Sequence, residues 1–343
     1  MAINPYSIFE KAEKKRGQSK FLEAIPLYIE ARKLSSTDKE LKAGCAFALG
    51  DTYRMVGEFT KAGNCYIEAH SLVLDLNDAT RAHDALVGLG LSLRATGDFR
   101  EAISIFNEAL KGYTKLKDKE GIAFTLWARA GALRIKGDLK GAIAGFKEAK
   151  QMFVRLKDKS GIGYCLTGLG GASRVAQKPK DSLKYYKEAN KAFVAMKDTF
   201  GIAYSYCGIA NSMRMQEDFK GSLGYFKKAR TNYKKIGDKV SYAYTLWGEG
   251  SAFLMLGRKE EALKDFKEAK VLFRQTKDKR GLVYCQLTIG QIEFAKNPAK
   301  GVKTLASAHA RARELKLAVE LKYAKTLLAA AEKAPAALPM NLA

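Results

Sequence analysis

Apolar residues recur along the chain with the spacing of one helix face. In GDFREAISIFNEALKGYTKLKD, residues 97–118, apolar side chains stand at 99, 102, 103, 106, 109, 110 and 113. This i, i+3, i+4, i+7 pattern is typical of an amphipathic helix. The stretch begins with a Gly-Asp turn and ends with a Lys-Asp turn. A second helical pattern follows a Lys-Asp turn, as in DKSGIGYCLTGLGGASRVA from residue 158. The pattern predicts antiparallel helix pairs joined by short turns.

The same arrangement returns every 40 residues. We expect an aspartate at the second turn of each period to cap the helix that follows: Asp78, Asp118, Asp158, Asp198, Asp238 and Asp278. Asp98 is expected to cap a helix at the first turn, while Pro179 and Pro298 suit a first helical turn. Because one helix pair cannot bury its apolar face alone, the repeat predicts that the pairs stack into an α-solenoid.

The repeated residues resemble the tetratricopeptide repeat family. A small residue stands late in each first helix: Gly50, Gly90, Ala130, Gly170, Ala210, Gly250 and Gly290. An alanine, an aromatic and an alanine follow in the second helix, as in Ala102-Phe106-Ala109. The period is longer than the family's usual one and is similar to the extended repeat of Pins-type adaptors. The resemblance implies an all-α, right-handed superhelix.

The chain divides into three predicted parts. Residues 1–315 form a solenoid of about eight repeats, of which the first and last are degenerate. Residues 316–334 have the amphipathic pattern of a capping helix. Residues 335–343, PAALPMNLA, are predicted to be a flexible tail.

Composition excludes several classes of protein. No apolar run approaches the roughly 20 residues of a membrane helix, and the N-terminus lacks the order of a signal peptide, so we expect a cytoplasmic protein without membrane insertion. The five cysteines, an odd number without a C-x-x-C pair, are interpreted as reduced packing residues. Three separated histidines make no metal site, and no nucleotide-binding or catalytic motif is present. We therefore expect no enzyme and no cofactor.

In five successive repeats an arginine stands three residues before the first turn. On a helix of 3.6 residues per turn, the positions 3, 7 and 10 residues before Arg134 share its arc, and they hold Gly131, Trp127 and Phe124. The resemblance implies that this face lines a concave ligand-binding groove, in which Gly131 and Gly171 make room beside Arg134, Arg174, Trp127 and Tyr164. The predicted site comprises Arg54, Arg94, Arg134, Arg174, Arg214, Phe124, Trp127, Gly131, Tyr164, Gly171, Tyr204, Asn211, Tyr244, Trp247 and Tyr284.

A structural interpretation of these arginines stays open. Each side-chain stem can cover a neighbouring helix while its head pairs with a turn aspartate. Arg129 and Glu249 replace apolar residues in a packing column, and either a packing or a groove role fits them. The lysines of stretches such as FKEAK recur beside glutamate, which predicts a solvated convex face.

The charge narrows the class of partner. Sixty basic residues against 36 acidic ones give a net charge of +24, which favours acidic partners. We expect a protein-interaction scaffold or adaptor that binds an extended, acidic peptide or partner-protein segment beside the groove aromatics. The alternative is an RNA-binding solenoid, and self-association is a further option.

Overall fold

The computed structural model describes residues 4–333, 335–338 and 341–342, and all regular structure in this part is helical. Sixteen helices form eight consecutive antiparallel pairs, and a seventeenth follows. The pairs are α1 (Pro5–Gly17) and α2 (Phe21–Leu34), α3 (Lys39–Met55) and α4 (Phe59–Asp75), α5 (Ala79–Thr96) and α6 (Phe99–Leu116), α7 (Lys119–Lys136) and α8 (Leu139–Arg155), α9 (Lys159–Val175) and α10 (Pro179–Met196), α11 (Thr199–Met215) and α12 (Phe219–Ile236), α13 (Lys239–Met255) and α14 (Lys259–Gln275), α15 (Lys279–Lys296) and α16 (Pro298–Glu314), followed by α17 (Ala318–Ala331). The predicted α-solenoid is confirmed. We call odd-numbered members of the pairs A helices and even-numbered members B helices.

Aspartates cap the A helices as predicted. At the start of α5, Asp78 Oδ1 accepts the backbone N–H of Arg81 at 2.9 Å, and the same bond recurs from α7 to α15 at 2.8–3.0 Å. Pro179 and Pro298 each begin a B helix. Asp98 stands at the N-cap position of α6 as predicted, but its side chain makes no capping bond there, and its carboxylate accepts the hydroxyl of Thr96 in the same turn instead.

Glycines let consecutive repeats interlock. Tyr186 on α10 is buried, with its ring between two A helices. A Cβ added at Gly170 on α9 would lie 2.8 Å from this ring, and one added at Gly208 on α11 would lie 2.2 Å from it. Tyr66 has the same relation to Gly50 and Gly88. Each such aromatic therefore joins its own repeat to the next one.

The superhelix also brings distant repeats into contact. Leu91 of α5 and Leu287 of α15 belong to one buried apolar cluster, which continues into α17. The turn at Gly137 packs against Ala318 at the start of α17. These contacts bring the A helices of distant repeats toward one another. Among the described residues, no helix combines the length and the apolar character needed to cross a membrane.

Candidate functional site

The five predicted arginines lie one on each A helix from α3 to α11, in the last helical turn. A cation at this end is favoured by the helix dipole. Leu91 of α5 and Leu287 of α15 share one buried apolar cluster, against which Trp127 of α7 also packs, so residues of distant A helices face one shared space. We call this space the groove, and the five arginines, Arg54, Arg94, Arg134, Arg174 and Arg214, the ladder.

Arg54 stands apart from the other members of the ladder. Its Nη1 donates to the hydroxyl of Tyr66 at 3.4 Å and lies 3.7 Å from a carboxylate oxygen of Asp51. The hydroxyl of Tyr66 in turn donates to Asp51 at 2.5 Å. Arg54 is thus engaged by its own repeat, although Asp51 lies inside α3 and is not the turn aspartate that the structural interpretation of the ladder names.

Arg94 reaches the next repeat instead of its own turn. Its Nη1 donates to the backbone carbonyl of Ala128 at 3.2 Å, and its guanidinium lies 5.6 Å from the ring centroid of Trp127. A guanidinium over an indole face contributes roughly 0.5–2 kcal/mol, more when water is excluded. Arg94 and Trp127 therefore form one unit on the groove wall.

Gly131 and Gly171 each lie beside the arginine of the preceding repeat. A Cβ at Gly131 would lie 2.4 Å from Nη1 of Arg94, and a Cβ at Gly171 would lie 3.6 Å from Nη1 of Arg134. Gly131 thus accommodates the arginine of the preceding repeat, because that long side chain leans toward the following A helix, whereas the distance at Gly171 is an ordinary contact that leaves room for a Cβ beside Arg134. The sequence pattern predicts that the two glycines make room beside Arg134, Arg174, Trp127 and Tyr164, whereas the arginine beside Gly131 is Arg94.

Most of the ladder carries positive charge without a carboxylate partner. Within the described part of the chain, Arg54 is the rung that pairs with a carboxylate, and the other four form no ion pair. The buried Nε atoms of Arg134, Arg174 and Arg214 have no hydrogen-bond partner there. Burial, reinforced by neighbouring arginines, lowers the pKa of Arg94 to about 10 and that of Arg214 to about 9. The groove is therefore a site of uncompensated positive charge.

The predicted aromatics of the middle repeats form a continuous wall. The rings of Phe124 and Trp127 lie 5.3 Å apart, and those of Trp127 and Tyr164 lie 6.1 Å apart. Trp127 Nε1 donates to the carbonyl of Tyr164 at 3.2 Å. The hydroxyl of Tyr164 donates to the capping residue Asp198 at 2.8 Å. Tyr164 thus has a structural contact at its polar end, whereas Phe124 is 43% exposed.

The aromatics of the later repeats are more enclosed. Trp247 and Tyr284 are buried, with ring centroids 4.7 Å apart, and Tyr244 lies 6.4 Å from Tyr284. Tyr204 stacks on Phe200 at 6.3 Å. The groove is therefore partly open beside Phe124 and closed around Trp247.

The chain's own C-terminal residues close this end. Arg214 is fully buried: it donates to Oδ1 of Asn341 at 2.6 Å, to the carbonyl of Leu342 at 2.7 Å and to Asn211 at 3.3 Å. Leu338 is also buried. Sequence analysis had assigned no contact to this segment, because a single copy of APAALPMNLA offers no periodic signal. Residues 339, 340 and 343 of the predicted tail, residue 334 of the predicted cap and residues 1–3 lie outside the described residues.

Two residues left open by the sequence lie in packing contacts between helices. Arg129 donates to Asn107 at 3.0 Å. Glu249 is buried and accepts from Arg230 at 2.6 Å. Neither makes a contact with the ladder in the described structure. The assignment of the fifteen predicted residues to ligand binding stays a prediction.

Comparison with known proteins agrees with the repeat pattern. A family model described as "Tetratricopeptide repeat" matches residues 43–115 and 80–153. No curated protein sequence matches the chain. The fold is similar to a Rap protein complexed with Competence and Sporulation Factor, at a TM-score of 0.63 and 13% identity, covering 96% of this chain and 98% of the Rap chain.

Two further solved structures are similar over most of their length. A Rap conjugation gene regulator of the plasmid pLS20, in complex with the Phr* peptide, gives a TM-score of 0.61 at 14% identity, covering 97% of this chain and 94% of that one. The apo form of RapI gives 0.58 at 15% identity, covering 80% and 99%. At these identities the likeness shows the fold. The family model identifies tetratricopeptide repeats within residues 43–153, and the 40-residue period and the interlocked helix pairs continue the same architecture through the other repeats.

Proposed function

We propose that this protein is a non-enzymatic interaction scaffold whose groove captures an extended, acidic segment of a partner protein. The observation that carries the proposal is the ladder: four of its arginines lie in the groove without a carboxylate partner in the described part of the chain. An unpaired charge in such surroundings is costly. A ligand that supplies carboxylates would relieve this cost, and an arginine can bind a carboxylate through two parallel hydrogen bonds.

The spacing of the ladder sets the form of the ligand. Packed helices lie roughly 10 Å apart, while an extended chain advances about 3.3 Å per residue. One rung therefore meets about every third ligand residue, and five rungs span a segment of about 12–15 residues. We propose that Asp or Glu side chains of the partner contact Arg94, Arg134 and Arg174, and that an apolar side chain packs beside Trp127.

The similar structures fit this proposal. Two of them are named as complexes, one with Competence and Sporulation Factor and one with the Phr* peptide. Extending peptide binding from those proteins to this chain is part of the proposal. Base stacking on RNA would need accessible aromatic faces, whereas Trp247 and Tyr284 are 4% and 3% exposed.

A selection experiment tests the proposal. A display library of random 15-residue peptides is selected on the unmodified chain, on Arg134→Ala/Arg174→Ala, and on Lys147→Ala/Lys187→Ala as a control from exposed B-helix positions. We expect Asp and Glu to be enriched at every third position on the unmodified chain and on the control, and not on the arginine variant. The absence of acidic enrichment, or equal enrichment on all three proteins, would refute the proposal. Tight binding of arbitrary single-stranded RNA at physiological salt would favour the RNA alternative instead.

A further inference from the structure

The C-terminal segment of the chain occupies one end of the ladder. After α17 ends at Ala331, the described residues of the segment place Leu338 at 2% exposure in the apolar cluster shared by α5 and α15. Leu342 packs at the edge of the cluster that contains Trp247. The segment therefore lies inside the groove, among residues of distant repeats.

Three hydrogen bonds join Asn341 and Leu342 of this segment to Arg214, the last arginine of the ladder. Arg214 donates through Nη1 to Oδ1 of Asn341 at 2.6 Å and through Nη2 to the carbonyl of Leu342 at 2.7 Å. Asn341 Nδ2 returns a bond to the backbone carbonyl of Arg214 at 3.1 Å. An amide side chain suits this position because it accepts and donates at once, whereas a carboxylate only accepts. The guanidinium also lies 5.5 Å from the ring centroid of Trp247.

The segment is not packed on every side. A cavity of about 550 Å³ lies beside it, lined by the turns of α7–α8 and α9–α10, by α17 and by the segment itself. Gly137, Val175, Tyr323 and Leu342 are among the lining residues. The cavity thus reaches Asn341 and Leu342, the two residues that are hydrogen-bonded to Arg214.

We infer that the described residues 335–338 and 341–342 act as an internal ligand of the groove, which competes for Arg214 with a partner segment that presents an Asn-Leu pair or its equivalent. This inference rests on the proposed function and extends it. The partner then carries two kinds of recognition element: carboxylates for Arg94, Arg134 and Arg174, and an amide with the following backbone carbonyl for Arg214.

The short connection makes the internal ligand an effective competitor. Only ten positions separate the end of α17 from Asn341, and a short flexible link gives an effective concentration in the millimolar range. If the free segment binds with a Kd of about 100 μM, the groove end is occupied about ten times more often than it is open. A competing segment then binds about tenfold more weakly than it would to the open groove.

Full-length variants test this inference. Leu338→Ala/Asn341→Ala removes the buried apolar contact and both side-chain hydrogen bonds, and Ala336→Ser/Ala337→Ser is the matched control at exposed positions of the same segment. The probe is a fluorescein-labelled synthetic peptide with the sequence APAALPMNLA, compared with APAALPMALA. We expect the first peptide to bind the double variant about tenfold more tightly than it binds the unmodified chain or the control. The second peptide is expected to lose this binding.

A second variant guards against loss of structure. Asn341→Ala alone keeps the buried leucine, and we expect it to bind the probe about threefold more tightly than the unmodified chain does. Circular dichroism verifies that both variants stay helical. Equal probe binding by all four chains, or equal binding of the two peptides, overturns the inference.

The outcome is separable from that of the proposed function. If acidic library peptides bind but removal of the tail contacts does not change probe affinity, the inference fails and the proposed function stands. If the probe binds the opened groove while no acidic peptide binds, the inference stands and the acidic-partner proposal fails.

Discussion

The exchange Gly208→Ala is predicted to destabilise the protein, although alanine favours a helix. The new Cβ would lie 2.2 Å from the ring of Tyr186, about 1.2 Å short of the 3.4 Å at which ordinary contact begins. The ring cannot retreat, because its neighbourhood at Gly170 would not admit a Cβ either, at 2.8 Å. Tyr186 is also buried. Relief of the clash therefore requires movement of a whole repeat.

The size of the effect follows from two opposing contributions. Overpacking of a well-filled core costs typically 1–3 kcal/mol, and the size of this overlap favours the upper end of that range. Removing a glycine from a helix interior stabilises by about 1 kcal/mol. The net expectation is a free energy of unfolding that is lower by about 2 kcal/mol.

Gly224 on α12 provides the matched control. It lies inside a B helix, is exposed, and has no neighbouring atom within 4 Å of an added Cβ. Gly224→Ala is therefore expected to stabilise by roughly 0.5–1 kcal/mol. Urea unfolding followed by far-UV circular dichroism should move the midpoint down for Gly208→Ala and up for Gly224→Ala. Equal shifts in the same direction would show that the packing of Tyr186 between Gly170 and Gly208 does not join these two repeats.

Two other predictions concern buried titratable groups. Burial, with repulsion from Glu249, raises the pKa of Asp265 to about 7. The folded state therefore favours the protonated carboxyl. Its contribution to stability is complete below about pH 4 and is lost as the pH rises through 7. Asp265→Asn should stabilise by roughly 1–3 kcal/mol more at pH 8 than at pH 4, and a pH-independent effect in thermal unfolding would contradict this. Burial raises the pKa of Cys45 to about 11 and that of Cys165 and Cys285 to about 12. These thiols should react with Ellman's reagent at pH 8 roughly 100-fold more slowly in the native protein than in denaturant, and a rapid native reaction would be inconsistent with the structure.

The helix pairs could be predicted because the same residue types recur at the same positions of successive repeats. One Asp at a turn is weak evidence, but six at the same phase predict six helix starts, and all six accept the expected backbone N–H. The site could be predicted only as a face of the A helices. Helical periodicity places the ladder on that face, yet it does not show how far each side chain leans toward the next repeat. Gly131 thus accommodates Arg94 and not Arg134.

The contacts between distant repeats could not be predicted from the sequence. The pitch of a solenoid accumulates from a small rotation at each repeat, and no local pattern encodes it. The contact of Gly137 with Ala318 depends on that pitch. The position of Asn341 on Arg214 depends on it as well, and this segment occurs once. Both features required the structure.

The ladder is tested most directly by a substitution that keeps its charge. Arg134→Lys/Arg174→Lys retains two cations but removes the planar fork that holds a carboxylate through two hydrogen bonds. The control is Lys147→Gln/Lys187→Gln, which removes two charges from exposed B-helix positions. Calorimetry on the selected acidic peptide measures Kd for the unmodified chain and both variants. We predict a loss of about tenfold or more for the arginine pair, equivalent to about 1.4 kcal/mol, and less than about twofold for the lysine pair. Unchanged affinity in the arginine pair together with a loss in the lysine pair would show that the ladder is structural and that the ligand binds elsewhere.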